Sequence, residues 1–329
     1  MLTLQEMKVG MTDKVAQQII DTFLRNSEIL QLLPFDNCVS PQGGSTLTYS
    51  YVQKKLPALA SFRTIGKEYT SSEATLERKS VDLKIFGGQF ELDRVIKKAE
   101  SRYNNMAFQL DEHILAAISL FHHTLINGDS TTNVEEFDGL DKLLAGTSTE
   151  FGTDKAIDLS TIDKIKANAD EFYEALNKLM KSTKCDALLM NNNTIGKIQT
   201  VARILGYKTE SEEAFGKKVS HIDGIRLMEL GNHYTINENV PVANSCVKEG
   251  LSRTVGSESL TGLTDIYAIK FDINDGFHGA SLSGNGLLDH YLPDFNQPGP
   301  IKRGEVEMVA ATVLKNTAHA GVLRNIKIA

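Results

Sequence analysis

Eight histidines and three cysteines carry most of the potential chemistry in this 329-residue chain, and their spacing decides what they can do. His113, His122 and His123 fall in one helical stretch. Positions nine or ten apart do not share a helix face, and the His, Glu, His spacing of a helical zinc site is missing. These side chains read as solvated or interfacial. His221, His233, His278, His290 and His319 are scattered without flanking motifs, and none supports a catalytic triad. Cys38, Cys185 and Cys246 are more than sixty residues apart, which fits neither a disulfide framework nor a zinc site. Gly196-Lys197 and Gly216-Lys217 lack the upstream glycine and the Ser or Thr of a phosphate loop. Gly284-Asn285-Gly286 lacks the third glycine of a dinucleotide fingerprint and reads as a turn. The pairs Glu135-Glu136 and Glu212-Glu213 are sequence neighbours, so they point apart rather than across a substrate. Catalytic, cofactor and metal sites are therefore not expected, and the reading is of a non-enzyme.

Composition narrows the classes further. With 35 Lys and Arg against 42 Asp and Glu, the net charge of -7 lacks the basic footprint of avid binding to nucleic acid or acidic membranes. Apolar residues at 41% and charged residues at 23% lie near the globular average, which excludes wholesale disorder. The N-terminus shows no basic region followed by an apolar run, and no stretch approaches the ~20 apolar residues of a membrane span. A cytoplasmic site of synthesis is expected. The length is a soft prior for about two domains.

The elements that must position these residues follow from periodicity. After Thr12 and Asp13, Val15, Ile19 and Phe23 run beside Ala16, Ile20 and Leu24 at helical spacing. A second short apolar turn, 28–33, is stopped by Pro34, giving an arm that ends in an apolar hook. Leu47, Tyr49 and Tyr51 alternate with Thr48 and Ser50 as in a strand, and residues 75–86 alternate likewise until Gly87 and Gly88 break the pattern. Between the two strands lie more than twenty residues, far beyond a hairpin loop of 2 to 5. The tip of that loop mixes Phe62 and Ile65 with Arg63, Lys67 and Glu68, a combination suited to lying on another surface.

From Asp93 to Asn127 the apolar spacing is helical, including Leu110, Ile114, Ala117, Phe121 and Leu125, and Gly128 supplies the stop. One long spine helix results. From Thr131 helices and strands alternate as in an α/β lobe: a helix capped by Ser160 or Thr161, a buried strand at 187–190, a helix over 194–205 and a strand at 225–230. Residues 241–259 read as a loop, and 266–271 and 306–314 as strands.

The order of parts (arm, long-looped hairpin, spine helix, α/β lobe, closing strands) resembles the major capsid protein of tailed bacteriophages, the Hong Kong 97-type shell fold. The likeness is carried by NSEILQLLPF (26–35), ELDRVIKKA (91–99), LINGD (125–129), FDGLDKLL (137–144), ALLMNNNTIGKIQTVARILGY (187–207), IDGIRLMELG (222–231), IYAIKFDINDGFHG (266–279) and RGEVEMVAATVLKNTAHAGVLRNI (303–326). It implies an α+β fold with an N-arm (1–41), an E-loop hairpin (42–88), a peripheral domain on the spine helix (89–130), a mainly axial domain (131–270) and closing strands shared by both (271–329).

The resemblance also implies a major capsid protein that assembles through pentamers and hexamers into an icosahedral head. Such a head encloses double-stranded DNA without reading its sequence. The expected partners are other copies of the chain, a separate scaffolding protein and a portal protein, with no membrane. The expected location is the virion capsid, and the host cytoplasm during assembly. Many relatives carry a scaffolding extension before the arm; here the arm begins almost at Met1, so either the scaffold is a separate protein, which an initiating Met1 favours, or the chain is the matured product. Phe62, Arg63, Ile65, Lys67 and Glu68 of the loop, with Ile29, Leu30 and Leu33 of the hook, are the expected subunit contacts. Some relatives crosslink an E-loop lysine to a neighbour; Lys54, Lys55 and Lys67 are available here, but no partner or base is assigned. An encapsulin-type compartment shell and, from another class, an α/β enzyme built on 131–270 remain as alternatives.

Overall fold

The computed structural model describes residues 27–38, 47–95, 105–206, 210–214, 217–238, 240–282 and 287–329. The helix expected at 12–24, the first turns of the spine helix at 96–104 and the turn at 284–286 lie outside the described residues.

Two sheets organise the chain. The first has five strands, in the order Phe35–Asn37, Phe277–Ser281, Ile301–Leu314 and Leu288–Tyr291, with Lys84–Asp93 also paired to Ile301–Leu314. The spine helix, Asn105–Asn127, packs against this sheet. Its fully buried Phe121 stacks on Phe86, with ring centroids 6.2 Å apart, and meets Phe137 at 5.8 Å. Helical spacing alone puts Leu110, Ile114, Ala117, Phe121 and Leu125 on this buried stripe, as the sequence led us to expect.

The second sheet has nine strands, with a main path of Glu150–Phe151, Ala320–Lys327, Glu258–Ile269, Ala187–Met190, Ile225–Glu229, Lys217–Ile222 and Glu210–Ala214. Ala187–Met190 is buried on both faces. Ala187 and Leu189 point toward the core shared with the spine helix, whereas Leu188 and Met190 point toward the helices Ile162–Thr183 and Asn192–Leu205. That double burial explains the continuous apolar run. The helix boundaries follow local capping: Thr161 Oγ1 accepts from the Lys164 amide, Asn191 Oδ1 from the Thr194 amide, and Gly206, at φ 78°, ends the second helix in the left-handed region.

Three expectations are corrected. Gly87 and Gly88 do not break a strand but lie inside Lys84–Asp93, whose ten pairs with Ile301–Leu314 run from Asp93 to Lys84. A Cβ on Gly87 would stand 1.9 Å from the Val306 carbonyl oxygen, and one on Gly88 2.4 Å from His113 Nδ1, so close approach rather than a turn demands glycine here. The alternation also changes phase at Leu83: Val81 and Leu83 face inward, then Phe86 and Phe90 do, and Ile85 is exposed. An odd shift in a period of two moves every later side chain to the other face. Residues 241–259 are not a loop; they contribute Val240–Ser245, Leu251–Val255 and the start of Glu258–Ile269. Phe35–Asn37, parallel to Phe277–Ser281, also had no signal beyond three residues of chain.

The sheet is tied to the short helix Leu140–Leu144 by a charged network. Arg253 makes a two-pronged ion pair with Asp265, at 2.6 and 2.7 Å, and Arg324 reaches Asp265, Asp141 and Glu150. Asp265 is only 2% exposed and also accepts the Asn325 amide. Burial opposes the Arg324 charge, but hydrogen bonding and the attraction of Asp141 outweigh it and hold the guanidinium protonated.

Candidate assembly interface

The hairpin Thr48–Leu56 and Thr75–Asp82 projects from the first sheet on an anchored root. Tyr49 and Tyr51 occupy the face the alternation assigned to them, half-buried against the core. The Tyr49 hydroxyl donates to Asp36 Oδ2 at 2.6 Å, the Tyr51 hydroxyl to the Leu314 carbonyl at 3.2 Å, and Gln53 Nε2 to the Lys315 carbonyl at 3.0 Å. Burial and the Asp36 carboxylate push the Tyr49 phenol up, far from ionisation at neutral pH. Burial also raises the Asp36 carboxyl, but the hydrogen bonds from Tyr49 and the Asn37 amide outweigh it and keep the group ionised below its usual range. His278, fully buried, lies edge-on to Tyr49 at 5.6 Å; burial and Lys315 push it down to about 4, so it is neutral near pH 7.

Beyond this root the ribbon leaves the body. Past Gln53 the strand runs on through residues 54–56, a rise of about 10 Å, and residues 57–74 extend the ribbon further without regular secondary structure. Its shape is held locally: the Leu59 amide donates to Ser72 Oγ at 2.7 Å, and Lys67 N to the Thr64 carbonyl at 3.1 Å across a turn at Gly66. The Arg63 guanidinium lies 5.2 Å from the centre of the Tyr69 ring. Phe62 and Ile65 are fully exposed, and Leu59 and Tyr69 largely so. Arg63, Lys67 and Glu68 are exposed beside them. The structure therefore brings all five loop residues named from the sequence onto one projecting tip, with Phe62 and Ile65 fully exposed and without an apolar partner among the described residues.

Ile29, Leu30 and Leu33 are placed elsewhere, which corrects the expectation of a hook open to a neighbour. They are 1%, 3% and 4% exposed and belong to the core under the spine helix. Ser27 caps the helix Glu28–Leu32 by accepting the Leu30 amide, and its hydroxyl is 2.8 Å from His122 Nε2. The turn is thus pinned inward, a contact the chain pattern did not show.

A groove of about 850 Å³ runs between the spine helix and the lobe, with Leu115, Ile195 and the carboxylates Glu28, Glu112 and Glu229 on its walls. Its acidic rim complements Arg63 and Lys67 of the loop tip in charge. A second exposed hairpin, Asn232–Asn237 with Val240–Ser245, displays Tyr234, Ile236 and Val240. The alternation of Tyr234 with Ile236 and of Val240 with Val242 around Asn237-Glu238 was its available signal. Among the described residues no group of three or more His, Cys, Asp or Glu is arranged to hold a metal ion, and no helix is long and apolar enough to cross a membrane.

No family model matches the chain, and no curated protein matches it in sequence. Solved structures do match in fold. The holo-SrpI encapsulin complex from Synechococcus elongatus aligns with a TM-score of 0.57 at 11% identity, over 91% of this chain and 87% of that one. A structure of Mycobacterium phage Ogopogo aligns at 0.55 and 17% identity, over 91% of each chain. The capsid of a native GTA particle aligns at 0.51 and 12% identity, over 92% and 90%. At such identities the likeness is one of fold. The chain has an α+β shell fold of the Hong Kong 97 type, with its projecting hairpin, spine helix and α/β lobe, matched nearly end to end.

Proposed function

We propose that the protein is a major capsid subunit that assembles through hexamers and pentamers into an icosahedral head around double-stranded DNA. The observation that carries this reading is the projecting ribbon. A fully exposed Phe62 and Ile65 at the end of an anchored arm are costly in water unless a second subunit covers them. The tip sits on a neighbour, with Arg63 and Lys67 facing an acidic surface such as the groove beside the spine helix. Rings of such contacts are heterologous and close by rotation. The five-part division expected from the sequence, 1–41, 42–88, 89–130, 131–270 and 271–329, is retained as the domain scheme of this subunit. A separate scaffolding protein and a portal protein complete the assembly, in the host cytoplasm and then the virion. The negative net charge is compatible with packaged DNA, which keeps its own counterions and is held by enclosure.

The encapsulin likeness, as extensive as the phage one, supports a second reading: a shell of the same architecture enclosing protein. Expression with and without a neighbouring scaffold gene, followed by negative-stain electron microscopy, tests the shell itself. Closed particles or five- and six-membered rings are expected; monomers in both samples overturn the proposal. Nuclease-protected DNA in particles from the native host separates a phage head from a protein compartment.

A further inference from the structure

The second exposed hairpin is rooted on a histidine pair. His123, on the spine helix, and His233, in the strand Asn232–Asn237, have ring centroids 5.1 Å apart. The Nδ1 atom of His233 is buried without a hydrogen-bond partner. The hairpin is hydrogen-bonded to the body at its base, where the Cys246 amide donates to the Gly231 carbonyl at 3.0 Å and Asn127 Nδ2 to the Cys246 carbonyl at 2.7 Å. Beyond that base, residues 234–238 and 240–244 are exposed.

We propose that His123 and His233 form an acid-sensitive latch: in tilted ring contact while neutral, they hold the hairpin against the spine helix, and protonation releases the hairpin, which opens about Gly231 and Cys246. Burial holds both imidazoles below the usual histidine value, and for His123 the His233 ring and Lys248 add to it. Two imidazolium rings in this space repel each other and Lys248. Glu136 is the nearby opposing charge, but its carboxylate already accepts from Asn133 Nδ2 and the Asp129 amide. His122, the neighbour on the helix, is engaged by Ser27 and the Leu230 carbonyl. Glu112 and Glu229 line the groove beside His233 without pairing with it. His123 cannot yield, because Phe121, Leu125 and Ile126 around it are fully buried; the exposed hairpin can. Opening uncovers the His123 and His233 rings at the hairpin root, where both are partly buried while the latch is closed.

The latch is independent of the shell reading and is tested on the whole chain. Hydrogen exchange by mass spectrometry, corrected for intrinsic rates, is measured at pH 7.5 and 5.0. Released from the spine helix, a two-stranded hairpin is only marginally stable in water, so its cross-strand amides over 232–245 are expected to lose protection at pH 5.0 relative to pH 7.5, with no loss at Ala187–Met190. His123→Phe and His233→Phe each remove the pH response while keeping a ring in the contact; if one fails to fold, the other decides. Equal protection at both pH values in the wild type, a response that survives in a folded variant, or loss of protection at Ala187–Met190 as well overturns the latch.

Discussion

Replacing Phe62 and Ile65 together by Ser separates assembly from folding. Both side chains are fully exposed in the monomer, so the substitution removes no core contact, and its effect on unfolding should stay within about 0.5 kcal/mol. At an interface each would be buried, and full burial of such a side chain is worth about 1.5–3 kcal/mol. The pair therefore contributes about 3–6 kcal/mol per subunit before ordering costs. Taking the lower figure, the concentration at which shells form should rise by about two orders of magnitude. The assay is light scattering and electron microscopy across a dilution series, beside urea unfolding of the same samples. An unchanged assembly threshold refutes the interface. A fall of several kcal/mol in unfolding free energy would show instead that these residues belong to the subunit's own fold.

Folded His278 titrates near 4 against about 6.5 unfolded, so it contributes stability above pH 6.5 that is lost as the pH falls through 4, about 3 kcal/mol in all. Urea midpoints should therefore drop less on acidification for His278→Leu than for wild type; equal drops refute the assignment. Asp265→Asn leaves Arg253 and Arg324 without their shared buried carboxylate and should cost about 3–5 kcal/mol in denaturant unfolding, with a loss below 1 counting against the network. Gly87→Ala must push the strand Ile301–Leu314 away and should cost about 1–3 kcal/mol, whereas a neutral thermal melt would show that the strands are farther apart than described.

Which features were legible depended on how local their cause is. The helix Glu28–Leu32 could be read because Ser27 and Pro34 bound it within a few residues, and Ala187–Met190 because four apolar residues in a row fit a strand covered on both faces. Loop residues 57–74 were marked by length and by Phe62 and Ile65 amid polar neighbours. Gly87 and Gly88 misled because glycine has the same local signature at a turn and at a close approach; only Val306 and His113, far along the chain or across the sheet, distinguish them. The strands at 240–255 were hidden by small and polar residues on exposed faces, where pairing rather than hydrophobicity holds the backbone.

From sequence alone came the period of each element, the order of parts and the presence of a projecting loop, because these rest on contacts within one turn or one strand. Tertiary structure alone decided that Ile29, Leu30 and Leu33 turn inward, that Asp265 joins two arginines 71 residues apart, and that His123 meets His233. Those outcomes depend on which distant surfaces the core brings together, and no local spacing carries that information.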